Sequence, residues 1–150
     1  MSNLDHSEPA DDASYASDDA SYASEEIVIA ALASGGNVAG AKARLASFLG
    51  RHPACAEAHN DLGVLDFQAG DLKAAATSID RALALRPDCA RYHRNRALVL
   101  LNVGDTATAL AALARSLMLD PKDPETLQVV GELEKARRAS HKKMKVRRIN

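Results

Sequence analysis

Residues 56–89 read AEAHNDLGVLDFQAGDLKAAATSIDRALALRPDC, and this stretch decides the fold. Two runs with apolar residues at helical spacing flank Gly70-Asp71. A glycine there can take the left-handed conformation that ends one helix, and the aspartate beside it can cap the next. Pro87 follows the second run, where it cannot continue a helix but can set the bend into whatever comes after. The stretch therefore predicts a helix hairpin.

The same unit recurs on both sides. Pro53, Pro87 and Pro121 are 34 residues apart, as are Gly36, Gly70 and Gly104. The offset also links Ala41, Ala75 and Ala109, then Leu45, Ile79 and Leu113, then Leu49, Leu83 and Leu117. Each glycine is followed by Asn or Asp (Asn37, Asp71, Asp105). A fixed period of this length means repeated supersecondary units stacked on one another. The pattern predicts helix pairs near 25–34 and 38–50, 56–69 and 72–85, and 90–103 and 106–119. A seventh helix is predicted to begin at Asp123-Pro124-Glu125, which supplies a cap, a proline in the first turn and an acid favoured by the helix dipole.

With Leu62-Gly63, Phe67, Gly70-Asp71-Leu72, Ala75, Ile79, Ala82-Leu83 and Pro87 in place, the second unit resembles a tetratricopeptide repeat. The first unit keeps Leu32, Gly36, Ala41, Leu45, Leu49 and Pro53 of that pattern; the third keeps Ala97, Gly104-Asp105, Ala109, Leu113, Leu117 and Pro121. The resemblance covers residues 22–123 and implies an all-α solenoid: three antiparallel helix hairpins in a right-handed superhelix, closed by a capping helix over residues 124–139. Departures stand at Glu25, His59 and His93, where the family's signature begins with Trp, at Arg96 in place of its Leu, and at Ile29 in place of a small residue.

Composition agrees with helices. Alanine (30) and leucine (18) fill almost a third of the 150 residues, with no Trp, three Tyr and two Phe. A β-sandwich or barrel needs more β-branched and aromatic side chains. The net charge of −1 hides an asymmetry, because residues 1–26 carry eight acids and no Lys or Arg while residues 135–150 carry eight bases and no acid. The leader contains a tandem DDASYAS, polar and acidic, too poor in large apolar side chains to offset chain entropy. The expected organisation is a disordered acidic leader over 1–24, a repeat domain with its capping helix over 25–139, and a basic tail over 140–150. The first residues lack the basic and apolar regions of a secretory signal, and two cysteines make no disulfide framework, so the cytoplasm is the expected compartment.

The chemistry-bearing residues are few. Cys55-x3-His59 and Cys89-x3-His93 together compose a Cys2His2 set on paper. The pairs are one repeat apart, however, and stacked helices sit about 8–10 Å from each other. Four ligands of one zinc must lie within about 4 Å. Duplication of a turn explains the pattern, and both cysteines are expected as free thiols in equivalent turns. No phosphate-binding glycine loop, nucleophile elbow or metalloprotease motif occurs. The chain is read as a non-enzyme with no metal and no cofactor.

What remains is recognition. The resemblance implies that the first helix of each unit lines a concave groove for an extended peptide or a partner helix. Carried over position by position, that face holds Ala23, Glu26, Ala30, Ala33 and Ser34 in the first unit, with Glu57, Asn60, Val64, Phe67 and Gln68 in the second. The third gives Arg91, Arg94, Leu98, Leu101 and Asn102, and the capping helix adds Glu125, Gln128 and Glu132. Within this face the candidate binding residues are Asn60, Val64, Phe67, Gln68, Arg91, Arg94, Leu98, Asn102 and Gln128. Amides at Asn60, Gln68 and Asn102 suit the backbone of an extended ligand. Arg91 and Arg94 suit a partner's carboxylate. The expected function is a protein interaction scaffold or adaptor. The alternatives are a small bacterial secretion chaperone and a detached regulatory arm of an envelope enzyme such as a glycosyltransferase. The partner is another protein or peptide, with a non-specific anionic partner, nucleic acid or membrane surface, open to residues 135–150.

Overall fold

A computed structural model describes residues 12–147, and among them seven helices account for the regular structure. They are α1 (Asp12–Ser34), α2 (Val38–Arg51), α3 (Ala56–Gln68), α4 (Leu72–Leu85), α5 (Ala90–Asn102), α6 (Thr106–Leu119) and α7 (Pro124–Arg147). They divide into two compact units, α1 to α4 ending at Pro87 and α5 to α7 beginning at Asp88.

The hairpin turns form as their residues dictate. Gly36, Gly70 and Gly104 have φ of 81°, 82° and 86°, the left-handed region that a side chain disfavours. The residue after each glycine returns its N–H five residues back, Asn37 to Leu32, Asp71 to Asp66 and Asp105 to Leu100, which closes the preceding helix. The same residue's side chain then opens the next helix, accepting from the N–H of Gly40 (2.9 Å), Ala74 (3.0 Å) and Thr108 (3.1 Å). Hydrogen bonds from the Thr108 hydroxyl and then from its N–H hold the Asp105 carboxyl below its ordinary range. Cys55 and Cys89 precede α3 and α5 in equivalent turns, and neither is in a disulfide.

In the first unit Ile29, Ala41, Leu45, Phe48, Cys55, Ala58 and Leu65 form a core. Tyr22 completes it, fully buried with its ring 5.1 Å from that of Phe48. Here the structure departs from the sequence reading. The helix expected from residue 25 begins at Asp12, and part of the segment assigned to a disordered leader is folded. From residue 22 on, the physical reason is Tyr22, which stands seven residues before Ile29 on the same helix face and carries the packing two turns further back. Residues 1–11 of that leader lie outside the described residues. Gly63 explains a small-residue position of the repeat: a Cβ there would stand 2.6 Å from Ile79 Cγ1 and 3.1 Å from the Ala75 carbonyl oxygen, so α3 approaches α4 more closely than a side chain allows.

In the second unit Ala97, Leu100, Ala109 and Leu113 make the core, and Val129, Val130 and Leu133 of α7 close it. Ser116 Oγ donates to the Ala90 carbonyl at 2.9 Å and ties α6 to α5. From Glu134 to Met144 the α7 side chains are exposed, yet the helix runs to Arg147, past the expected end of the capping helix at 139. Among the described residues no helix is long and apolar enough to cross a membrane.

Candidate functional site

The site in the first unit is a groove of about 270 Å³ between α1 and α3. Its apolar lining is Ile29, Ala30 and Ala33 from α1 with Val64 and Leu65 from α3, Ile29 and Leu65 being buried. Ser34 and Gln68 stand at one end, Glu26 and Asp61 at the other. Glu26 and Ala33 are seven residues apart on α1, and Asp61 and Gln68 are seven apart on α3, so the two helices present matching gradients from acidic to small or amide. Six lining residues therefore come from α1 or α3 positions that the repeat register assigns to a groove: Glu26, Ala30, Ala33, Ser34, Val64 and Gln68.

The acidic end is tightly grouped. Carboxylate oxygens of Glu26, Glu57 and Asp61 lie within 4.8 Å of one another. Asp61 accepts hydrogen bonds from the Tyr22 hydroxyl at 2.8 Å and from the Asn60 amide at 3.1 Å. Burial pushes the Asp61 carboxyl above its ordinary range, the Glu26 charge adds to this, and the two hydrogen bonds oppose it. Tyr22 is pushed up in turn, first by burial and then by the Asp61 charge. Glu57 lies 4.0 Å from Arg86, whereas Glu26 has no basic partner among the described residues.

Other predicted groove residues are placed differently. Asn60, read as an amide for a ligand backbone, is fully buried and donates to Asp61. It is part of the scaffold behind the groove, since α3 turns that position toward the interior. Phe67 is half-buried and does not line the groove. In the second unit Arg94, read as an anchor for a partner's carboxylate, is buried and already holds two carboxylates of its own unit. Its guanidinium lies 2.6 Å from Asp123 and 2.7 Å from Glu125, at the start of α7. Asp123 also accepts from the N–H and hydroxyl of Thr126, so it caps α7 and receives Arg94 at once. Burial alone would push the Asp123 carboxyl up, but the hydrogen bonds from Thr126 and Arg94 outweigh it and hold the group below its usual range.

Arg91 is half-buried with its guanidinium carbon 5.7 Å from the centre of the Tyr92 ring. Leu98 is half-buried, and the exposed Asn102 donates to the Leu98 carbonyl of its own helix at 3.0 Å. Gln128 is exposed and donates to Glu132 at 3.1 Å, one turn along α7. Sequence reasoning missed Asp61 and Tyr22 as site residues. A signal existed for Tyr22, which stands one 34-residue period before Ala56.

A helix hairpin closed by Gly-Asp or Gly-Asn, repeated at this period, defines a class of helical repeat proteins whose working surface is a groove between helices. The chain belongs to the tetratricopeptide repeat family, whose pattern it matches over residues 28–83 and 61–124. No curated protein matches it. Among solved structures it is similar to an O-GlcNAc transferase mutant of Thermobaculum terrenum, with a TM-score of 0.67 and 28% identity over 73% of this chain and 21% of that one. It is similar to MamA, with a TM-score of 0.64 and 24% identity over 71% of this chain and 62% of that one. The type III secretion translocator chaperone SycD of Yersinia enterocolitica shares the fold at a TM-score of 0.67, with 16% identity over 81% of this chain and 92% of the chaperone. The chain thus spans about a fifth of the transferase and about three fifths of MamA.

Proposed function

We propose that the chain is a non-catalytic interaction scaffold that holds a segment of another protein in the groove between α1 and α3. The observation that carries this reading is the groove itself: an aliphatic lining with hydrogen-bonding groups at both ends, six of its nine lining residues at positions the repeat register assigns to ligand contact. The cytoplasm is the compartment proposed, in keeping with two cysteines of which neither is in a disulfide. A second reading, a secretion chaperone, is favoured by the close match in extent to the SycD chain, 92% of which is covered. The transferase likeness supports the third, a regulatory arm, only through the repeat region it shares.

The test is a crosslinking pull-down from native lysate with the wild type and with Ala30→Trp. Ala30 is exposed, so the bulky ring occupies the groove with little effect on folding. Loss of captured proteins with helix content and melting temperature unchanged supports the groove. Equal capture by both chains refutes it. Recovery within a multi-protein complex favours the scaffold, and co-purification with one unstable cargo favours the chaperone.

A further inference from the structure

The acidic end of the groove has a counterpart elsewhere in the same chain. From Glu134 to Met144 every α7 residue is exposed, and in the described part of this end one ion pair forms, Arg138 to Glu134 at 3.5 Å. Arg137 has no acidic partner among the described residues. Met144 is 62% exposed and is the only large aliphatic side chain so exposed among the described residues of this end. Arg137, His141 and Met144 follow at i, i+4 and i+7, which puts them on one face of α7.

The spacing of that face equals the spacing of the groove. Glu26 and Ala33 are separated by seven residues of α1; Arg137 and Met144 are separated by seven residues of α7. At about 1.5 Å per residue both intervals are about 10 Å. A ridge carrying an arginine at one end and a methionine at the other thus matches a groove with carboxylates at one end and alanines at the other. Methionine is unbranched and flexible, suited to an uneven aliphatic lining. Arginine offers two parallel hydrogen bonds to a carboxylate.

Resting on the reading of the groove as a protein-binding surface, we infer that its occupant is the basic end of α7 from a second copy of this chain. Arg137 meets Glu26 and Asp61 while Met144 seats on Ala30, Ala33 and Val64. The second copy's α7 runs parallel to α1. Arrival of the guanidinium supplies the positive charge that Glu26 lacks and that Asp61, flanked by two other carboxylates, needs most. The basic end of α7 is then a self-recognition element with a specific register, in contrast to a non-specific polyanion-binding arm.

The experiment is sedimentation of the full chain over a concentration series at low and high salt, with Glu26→Arg, Arg137→Glu and an equimolar mixture of the two. Both positions are exposed, and circular dichroism checks that the variants fold. The wild type is expected to associate reversibly, more weakly at high salt because exposed charges are screened over about 8–10 Å. Each variant alone should lose about tenfold or more in association constant, since each reverses a charge in the contact between Arg137 and the acidic end of the groove. The mixture should regain association, since the groove of the Arg137→Glu chain and the α7 face of the Glu26→Arg chain both keep their native charges and can pair with each other. Met144→Ser should weaken association at high salt as well as low.

A wild type that stays monomeric throughout overturns the inference. So does contraction of labelled tails that is independent of concentration, which places the chain's own α7 in the groove. Association that survives Glu26→Arg, or a mixture that fails to recover, also overturns it. So does loss of duplex DNA or anionic vesicle binding by Arg137→Glu with self-association intact, because the basic end then serves a polyanion. If Ala30→Trp loses captured proteins while the wild type never self-associates, the groove remains a binding surface and only its occupant is wrong.

Discussion

Replacing Arg94 by methionine keeps most of the stem's volume and removes the guanidinium. Two contacts go with it. The one to Glu125 involves a carboxylate that is 70% exposed, and such a pair contributes about 0.5 kcal/mol or less. The one to Asp123 is short, 2.6 Å, between side chains only 10% and 13% exposed, and a hydrogen bond between charged groups with so little water contributes about 1.5–3 kcal/mol. Asp123 is not stripped bare, because Thr126 still donates to it, so the loss stays below the roughly 3–5 kcal/mol of a fully orphaned buried charge. The expected cost of Arg94→Met is about 2–3 kcal/mol in urea unfolding followed by circular dichroism. Combined with Asp123→Asn in a double-mutant cycle, the pair should show coupling of about 1–2 kcal/mol.

The pH dependence carries a defined sign. The folded Asp123 carboxyl lies below its ordinary 3.8, so its stabilising contribution is present above that value and is lost as pH falls through the lowered folded value. The penalty of Arg94→Met should therefore shrink in strong acid. A cost below about 0.5 kcal/mol at neutral pH with no coupling to Asp123 refutes this account. Arg94 would then be free to meet a partner's carboxylate, as its sequence position alone suggests.

Tyr22→Phe removes the hydroxyl donated to a largely desolvated Asp61; the expected loss is about 1.5–3 kcal/mol, and NMR titration should find the Asp61 carboxyl raised further, since that bond opposes the rise. Gly63→Ala should destabilise the first unit by about 1 kcal/mol or more in thermal melts despite alanine's higher helix propensity, because the neighbours include the fixed Ala75 carbonyl as well as the Ile79 side chain. His59 donates through Nε2 to the Pro53 carbonyl, and burial lowers its pKa from the ordinary 6.5. As pH falls below 6.5 the unfolded histidine takes a proton before the folded one, so stability drops, and His59→Gln should lose less between pH 7.5 and 5 than the wild type in the same unfolding assay.

The hairpins were legible because each depends on neighbours in sequence. A glycine forced to positive φ, an Asn or Asp beside it and a proline seventeen residues later leave few conformations open, and the period repeats the constraint three times. The start of α1 was not legible for the opposite reason. DDASYAS offers one large side chain per two turns, and its composition reads as a solvated leader. Only the ring of Phe48, 26 residues further on, and the carboxylate of Asp61, 39 residues further on, give Tyr22 a reason to be helical and buried.

The same distinction separates the groove residues that lie where the register puts them from those that do not. Ala30, Ala33, Val64 and Gln68 need only the correct helical face, which the period supplies. Arg94 and Asn60 also occupy assigned positions, but each has a carboxylate within reach that the repeat pattern does not specify: Asp123, 29 residues away, and Asp61, the adjacent residue. A polar side chain near a helix crossing takes the partner that satisfies it before any ligand arrives, because leaving it unpaired in partial burial costs about 1–3 kcal/mol. On the proposed reading, recognition is left to side chains that folding does not use. In the first unit these are the exposed Ala30, Gln68 and Glu26, the last with no basic partner among the described residues; on α7 they are the exposed charges between Glu134 and Lys143.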